Sequence, residues 1–456
     1  MMETEYGIHV EEHSKVRGET DSNNNGLIHE HRLINRTISP MLSQEAKIAQ
    51  WLHQYGFAYN PFRFTDSERD VNLDAHFVEY PDFDKMLDLD DQVLFARTGD
   101  GKTAARLRLQ SFYREALADQ QVFAFSYLIP QWIADSPPAN IEGHLEPLLT
   151  AAVSYAFVFF ALRGLDLSYL QRADAASTPI QQLRLFFDAY YGLLNGWEDD
   201  LQQGIEDHSL KQAVSNLTPI YDDWESLAEV GSLNVVWARR WLELLTSAAE
   251  PVQARLPEQP LARWHLFCHL MQEMGVKKNL VLVDGVDVKP AQPTRTPKRI
   301  PQTNPETDKT LSMGRMKAVA APLLAAISTR ALGDAVSWKL FLPAELYLPL
   351  IPLFTKQISH VILYWDYERL RQLLKFRLSA ATQGTITTLL QISEDDVLAD
   401  LETFLIVQSE SSPRYLIHYI NKIFGAHVDQ SDGSTLPGKL SGKVLAEIAY
   451  PPHRSP

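Results

Sequence analysis

The sequence predicts an α/β protein with a parallel-sheet core, a large helical insertion within that core and a helical lid near the C-terminus. Three observations support this prediction. Short apolar runs typical of buried strands recur, several of them next to sequence that favours a helix. A glycine-rich turn at 96–103 stands between the first such run and its helix. About 180 residues (104–283) separate this turn from Asp284, which stands at the end of another predicted strand. Within these residues, the sequence of 141–275 favours helices.

The stretch ARTGDGKT (96–103) nearly matches the phosphate-binding pattern G-x-x-x-x-G-K-[ST], which a strand precedes and a helix follows. The apolar run 93–95 predicts the strand. The residues after the loop, rich in Ala, Leu and Arg without Gly or Pro, predict the helix. Ala96 replaces the first glycine of the pattern, which is tolerable where its φ is negative. Gly99 and Gly101 keep conformational freedom where the turn is tightest.

A loop of this kind binds phosphate because backbone N–H groups at a helix N-terminus form a concave anion site. We expect the Lys102 ammonium to reach the β- and γ-phosphates of a nucleotide, and the Thr103 hydroxyl to be a ligand of Mg²⁺. The loop residues expected to bind the nucleotide are Ala96, Gly99, Asp100, Gly101, Lys102 and Thr103.

A second motif lies downstream in the stretch KKNLVLVDGVDV. The apolar run 280–283 predicts a buried strand with Asp284 at its carboxyl end. Ligands of open parallel sheets bind at that edge, so Asp284 is a candidate for holding the metal ion of a nucleotide. The alternative is a buried strand that ends in an ordinary Asp-Gly turn.

Together the two motifs resemble the Walker A and Walker B elements of P-loop NTPases of the additional-strand division. The spelling DGVD is similar to sequences of the STAND and KAP-type ATPases. The resemblance implies ATP and Mg²⁺ as cofactors, with Lys102, Asp284 and Asp287 as catalytic residues. Asp284 would coordinate Mg²⁺ through water, and Asp287 would help to polarise the attacking water. Those families often carry a further acid where this chain has Val288, so the resemblance implies slow hydrolysis.

Three weaker stretches extend the resemblance. The stretch 335–346 corresponds to the sensor-1 strand and contains Lys339, for which a structural role is the alternative. Arg414 follows a proline, as does the sensor-2 arginine that points at the γ-phosphate. Its alternative is a solvated residue at a helix N-terminus. The approach to the first strand packs beside the adenine in similar ATPases, with core packing as the alternative. The candidate contacts of the base are Phe77, Pro81 and Phe83.

Composition restricts the class of protein. The net charge of −15 argues against a general nucleic-acid coat, because binding a phosphate backbone needs a local excess of Lys and Arg. The single cysteine, Cys268, excludes an intramolecular disulfide and fits a reducing cytoplasm. Residues 1–42 lack the apolar core of a signal peptide and predict a disordered polar arm, in which the HEH sequence at 29–31 is solvated. We therefore expect a cytoplasmic protein.

The chain exceeds the usual size of a single domain, so an insertion or a second unit is expected. The run 147–162 in the insertion has 16 uncharged residues. A membrane-spanning helix needs roughly 20, so we expect a buried helix and no membrane association. The expected order is a polar arm (1–42), the first part of the NTPase core (43–140), the helical insertion (141–275), the second part of the core (276–365), the lid (366–426) and a flexible tail (427–456).

Three functions are compatible with these observations. The leading one is an ATP-binding regulatory ATPase, a nucleotide-dependent switch that acts with a protein partner. The alternatives are a DNA-associated AAA-type ATPase, of the origin-recognition or transposition-regulator kind, and a non-hydrolysing nucleotide-bound scaffold. Ring-forming AAA enzymes place an arginine finger in the region corresponding to 347–359, which here contains Lys356 and no arginine. About 30 residues follow Phe424, too few for the winged-helix module common in DNA-associated relatives. Nucleic-acid binding is thus not favoured.

Overall fold

Five parallel strands form one sheet in the structure, which is a computed structural model. The strands lie in the order β2-β3-β4-β1-β5. Every neighbouring pair is parallel, so the carboxyl ends of all five strands meet at one edge. The predicted α/β fold with a parallel sheet is confirmed. The strands are β1 Gln92–Ala96, β2 Val122–Leu128, β3 Lys278–Asp284, β4 Val336–Pro343 and β5 Ser359–Ile362.

The structure describes residues 43–191, 235–247, 255–287, 305–355, 358–394, 400–430 and 437–449. Several expectations lie outside the described residues and stay predictions. They concern the polar arm 1–42 with its HEH sequence, Val288, Lys356 and the part of the helical insertion between 192 and 234.

Strands β1 to β4 are almost entirely buried, as expected for parallel strands covered on both faces. Successive side chains alternate between those faces. Val93 and Phe95 pack into one hydrophobic cluster, whereas Leu94 and Ala96 pack into another. The sheet therefore has a core on each side, and the loop that follows β1 begins from a rigid support.

Helix α4 covers one face of the sheet. Its residues Ala105, Leu109 and Tyr113 recur every four positions, form a single buried stripe and share a cluster with Leu94 of β1. Packing of this stripe fixes the start of α4 at the edge where β1 ends. The helices of the described chain up to β2 and just beyond it are α1 Gln44–His53, α2 Leu73–His76, α3 Phe83–Met86, α4 Lys102–Glu115, α5 Leu117–Gln120 and α6 Gln131–Asp135.

The regular elements described within 141–275 are helical and cover the other face of the sheet. Phe123 of β2 packs against Tyr155 and Phe159, with ring centroids 5.6 and 5.1 Å apart. The apolar run 147–162 lies inside the first of these helices. Among the described residues, no helix is long and apolar enough to cross a membrane. The helices are α7 Glu142–Arg163, α8 Ser168–Arg172, α9 Thr178–Tyr191, α10 Val235–Thr246 and α11 Pro260–Glu273.

The C-terminal helices form a cluster of their own together with α1. The Trp51 ring lies 5.1 Å from that of Phe424, and its Nε1 donates to the backbone oxygen of Gly438 at 2.8 Å. Helix α1, expected in the core, thus packs with the predicted lid. The remaining helices are α12 Pro305–Ser328 and α13 Tyr347–Leu350 around β4, then α14 Tyr367–Ala381, α15 Leu401–Gln408, α16 Pro413–Asp429 and α17 Gly442–Ala449.

The end of the chain differs from the expected flexible tail in its described residues. Helix α16 continues past the predicted boundary at 426 as far as Asp429. Leu440 and Val444 are buried in the lid cluster. Their spacing of four residues was too short a signal to distinguish a packed turn of helix from a polar tail in sequence.

Candidate functional site

The turn between β1 and α4 has the backbone that its glycines predict. Gly99 and Gly101 have φ angles of +92° and +96°, in the left-handed region that favours glycine. Ala96 is the last residue of β1 and does not have a positive φ, which explains why alanine is accepted there. Gly101 caps α4, and the N–H groups of the first helical turn lack helical acceptors. The turn therefore offers unpaired donors to an anion.

Lys102 is buried at the start of α4, with only 7% of its surface exposed. Its Nζ lies 3.2 Å from Oδ2 of Asp287, just beyond β3. The same nitrogen is 3.4 Å from the backbone oxygen of Ala96. Asp287 is 27% exposed, so this ion pair is one that an incoming anion could replace.

Thr103 and Asp284 meet at the same edge of the sheet. The Thr103 hydroxyl donates to Oδ2 of Asp284 at 3.0 Å, and the backbone N–H of Gly285 donates to Oδ1 at 2.8 Å. The carboxylate is thereby held in one orientation. A hydroxyl and a carboxylate are oxygen donors of the kind that Mg²⁺ prefers.

Arg106 is a site residue that sequence reasoning missed. It is fully buried on α4, one turn after Thr103. Its Nε donates to Oδ2 of Asp284 at 3.3 Å, and its other nitrogens bond Ser126 on β2 and Glu68 at 2.5 and 2.8 Å. The available signal was an arginine on the same face of the helix as Ala105 and Leu109, because a buried arginine requires partners.

Arg414 of the lid and Trp365, in the segment after β5, contact the loop. A Cβ placed on Gly99 would lie only 3.2 Å from Cβ of Arg414, so the first turn of α16 packs directly on the loop. The Nε1 of Trp365 donates to the backbone oxygen of Asp100 at 2.8 Å. Burial raises the pKa of the Asp100 carboxyl, which lies in the same turn. Arg414 itself is exposed.

A cleft of about 270 Å³ opens beside these residues. One end is formed by the glycine-rich turn, Lys102, Thr103, Asp284 and Asp287. Away from the turn, the lining is largely apolar and comes from the segment before β1, from the end of β5 and from the lid. The apolar lining residues include Phe64, Phe77, Val78, Leu363, Leu373 and Ile417. A cleft with one anion-binding end and one apolar end suits a ligand with the same two parts.

Of the three candidate base contacts, Phe77 lines the cleft. Phe83 is buried behind it, with its ring centroid 5.1 Å from that of Phe77 and 5.2 Å from that of Tyr80. Pro81 is exposed. Neither Phe83 nor Pro81 is part of the lining. Core packing, the alternative interpretation, therefore describes Phe83.

Three buried polar residues form a network in the wall of the cleft. Nη2 of Arg377 donates to Oδ2 of Asp70 at 2.7 Å, and Nδ1 of His76 bonds the same oxygen at 2.9 Å. The other ring nitrogen of His76 bonds the Tyr59 hydroxyl at 3.0 Å. Burial alone would raise the pKa of Asp70, but the hydrogen bond from His76 and the charge of Arg377 hold it below its usual value.

Lys339 lies in the middle of β4, level with the start of β1. It is paired in register with Gln92, four residues before the loop. Its Nζ donates to Oε1 of Gln92 and to the backbone oxygens of Asp88 and Asp90, at 2.7, 2.6 and 2.9 Å. Burial lowers the pKa of Lys339 to about 7, against the effect of the nearby carboxylates. These contacts favour the structural role of Lys339 over the sensor-1 role.

No group of three or more His, Cys, Asp or Glu side chains converges as a metal site in the described ranges. A cation at this edge would be held by few protein oxygens and would need others from its ligand. Comparison of the chain with protein-family models, with curated proteins and with solved structures finds no match. Functional interpretation therefore depends on the geometry of the cleft.

Proposed function

We propose that this protein binds ATP with Mg²⁺ and hydrolyses it slowly, as a regulatory ATPase of the additional-strand P-loop type. One observation carries the proposal. The G-K-T turn and the D-G-V-D segment are about 180 residues apart in sequence, yet Lys102 pairs with Asp287 and Thr103 with Asp284 at one edge of the sheet. A chance match to either motif would not require the two to meet.

The order of the strands supports the same assignment. β4 lies between β1, which leads into the turn, and β3, which carries Asp284. A strand inserted between the Walker A and Walker B strands is the feature that gives the additional-strand division its name. The order of β2, β3, β4 and β1 in the sheet could not be inferred from the spacing of motifs in the sequence.

The donor groups at the edge fit Mg²⁺. Thr103 and Asp284 would hold the ion together with phosphate oxygens. Bound there, Mg²⁺ would neutralise charge on the phosphates. The chain's own part is to orient these donors, because Arg106 and the N–H of Gly285 fix the Asp284 carboxylate.

Slow hydrolysis follows from the residues around Asp284. Gly285 and Val286 come directly after it, and Asp287 is paired with Lys102. The catalytic cation of many phosphoryl-transfer enzymes is an arginine finger worth several orders of magnitude in rate. Arg414 is the lid arginine nearest the turn, and it is exposed. A partner that closes the lid would bring this charge toward the phosphates, which is the proposed switch.

The test of the proposal is equilibrium titration with a fluorescent ATP analogue in the presence of Mg²⁺. Lys102→Ala should weaken binding by at least about tenfold, because charge-assisted contacts dominate phosphate affinity. Lys85→Ala is the matched control, since Lys85 is an exposed lysine paired with Asp82. Equal affinity of the Lys102→Ala variant and the wild type would contradict the proposal.

A phosphate-release assay separates the ATPase from a non-hydrolysing scaffold. We expect slow release that Asp284→Ala abolishes. Tight binding without any release would favour the scaffold. Rapid phosphate release by the isolated protein would contradict the proposal of a regulatory ATPase, because no partner would then be needed to activate it.

A further inference from the structure

Arg106 joins two carboxylates at the edge of the sheet where the site lies. Its Nε donates to Oδ2 of Asp284 at 3.3 Å, and its Nη2 donates to Oε1 of Glu68 at 2.8 Å. The remaining nitrogen, Nη1, donates to the neutral hydroxyl of Ser126. Within this trio of charged side chains, one positive charge therefore faces two negative charges.

The three charged side chains differ in their exposure to water. Arg106 is fully buried, Asp284 is 7% exposed and Glu68 is 27% exposed. Charges attract strongly where water is scarce, so a guanidinium offsets much of the charge of a buried carboxylate beside it. Arg106 and Asp284 alone would present a nearly neutral ion pair to a cation. Glu68 offsets the charge of Arg106, so the carboxylate of Asp284 keeps its negative potential.

Glu68 influences the cleft without lining it. Asp284 lines the cleft, and so do Asp66 and Ser67, which come directly before Glu68 in sequence. Glu68 itself is not part of the lining. A ligand in the cleft therefore meets Asp284 directly and is affected by Glu68 through its charge and through Arg106.

The backbone around Glu68 is anchored. The N–H of Glu68 donates to Oδ1 of Asp66 at 3.2 Å. Two residues further along, Asp70 accepts a hydrogen bond at 2.7 Å from Arg377 of the lid helix α14, and both of these side chains are buried. The contact between Glu68 and Arg106 thus depends on a segment that a buried ion pair holds in place.

We propose that Glu68 is a positioning residue of the proposed metal site, and that it raises the affinity for the Mg²⁺ of a bound nucleotide by offsetting the charge of Arg106. In its absence, the guanidinium would compete with the cation for the Asp284 carboxylate. With Glu68 present, Arg106 still orients that carboxylate but cancels less of its charge. This inference rests on the proposed function and adds to the same site a residue that no sequence motif indicates.

The experiment measures the affinity of the full chain for a fluorescent ATP analogue in EDTA and over a range of Mg²⁺ concentrations. Glu68→Gln keeps an oxygen acceptor for Arg106 and removes the charge. The Mg²⁺ concentration at half-maximal enhancement of binding should rise at least about threefold, because a negative charge near the cation is lost. The affinity in EDTA should not fall, because loss of a negative charge does not repel phosphate.

Two further variants separate charge from shape. Glu68→Asp keeps the charge on a shorter side chain, so it should need nearly the same Mg²⁺ concentration as the wild type. Glu115→Gln is the matched control, because Glu115 is the exposed last residue of α4 and does not line the cleft. It should change neither the Mg²⁺ dependence nor the affinity in EDTA.

Several results would overturn the inference. They are an unchanged Mg²⁺ dependence in Glu68→Gln, an equal loss of affinity with Mg²⁺ and in EDTA, and a shift in Glu68→Asp as large as that in Glu68→Gln. Urea unfolding checks the fold of each variant. Failure of Glu68→Gln to fold would also overturn it, because the charge would then serve the fold and not the metal site. Failure of the wild type to bind the nucleotide at all would instead contradict the proposed function.

Discussion

Two buried lysines lie near opposite ends of β1 and have different surroundings. At the carboxyl edge of the sheet, Lys102 pairs with Asp287, a side chain that is partly exposed. Near the start of β1, Lys339 is held by two backbone oxygens and by the side chain of Gln92. Both side chains are among the most buried charged groups described.

Burial of a charge therefore does not identify a binding site. What distinguishes Lys102 is that its partner is exchangeable and that unpaired backbone donors surround it. The partners of Lys339 are fixed and saturate its three N–H groups. The carboxyl edge of the sheet therefore combines charges whose partners are fixed, such as Arg106, with Lys102, whose partner can be replaced by a ligand.

The largest expected effect is the loss of a fixed charge at the carboxyl edge. Arg106→Met should lower the free energy of unfolding by about 3–5 kcal/mol, because it leaves Asp284 buried without its cation. Lys102→Met, although also buried, should lower it by less than about 1 kcal/mol, because Asp287 is partly exposed and stays hydrated. Urea unfolding without nucleotide measures both. Equal losses for the two variants would remove the distinction between fixed and exchangeable charges.

The next effect concerns Lys339 and the dependence of the free energy of unfolding on pH. The pKa of Lys339 is about 7 when folded and near its ordinary 10.5 when unfolded. Between these values the unfolded chain binds more protons, so raising the pH favours the folded state. Relative to Lys339→Met, the wild type should gain about 2 kcal/mol of unfolding free energy from pH 7 to pH 9.

Urea unfolding at the two pH values measures this gain. A parallel pH dependence of the wild type and Lys339→Met would contradict it. Nucleotide affinity of the folded Lys339→Met variant at pH 8 should equal that of the wild type, because Lys339 does not line the cleft.

The smallest effect concerns the ion pair between Lys102 and Asp287. Asp287→Asn should tighten binding of a fluorescent ADP analogue without Mg²⁺ by about two- to fivefold, since an ion pair of this exposure is worth up to about 1 kcal/mol. Asp135→Asn is the control, because Asp135 is an exposed acid that, in the described part of the chain, is bonded only to its helical neighbour Gln131. Weaker binding by Asp287→Asn would show that the pair does not compete with phosphate.

Much of the carboxyl edge could be predicted because each part of it has a local pattern. The apolar run before Ala96, the glycines of the turn and the Asp at the end of β3 each depend on neighbours in sequence. Arg106 and Asp70 could not be placed in the same way. Several of their partners, Ser126, Glu68 and Arg377, lie 20 to 307 residues away and belong to segments with no motif of their own.

By itself the sequence determined the α/β class, the parallel sheet and the backbone of the turn at Gly99 and Gly101, because hydrophobic period and glycine conformation are properties of short segments. Only the tertiary structure decided which polar groups meet. Lys339 has backbone partners that stay in place, whereas Lys102 has a partner that a ligand can replace. Arg377 is neutralised by Asp70, whereas Arg414 is exposed. The physical reason is that the surroundings of a charge are set by distant segments that packing brings together, and no local pattern encodes those distances.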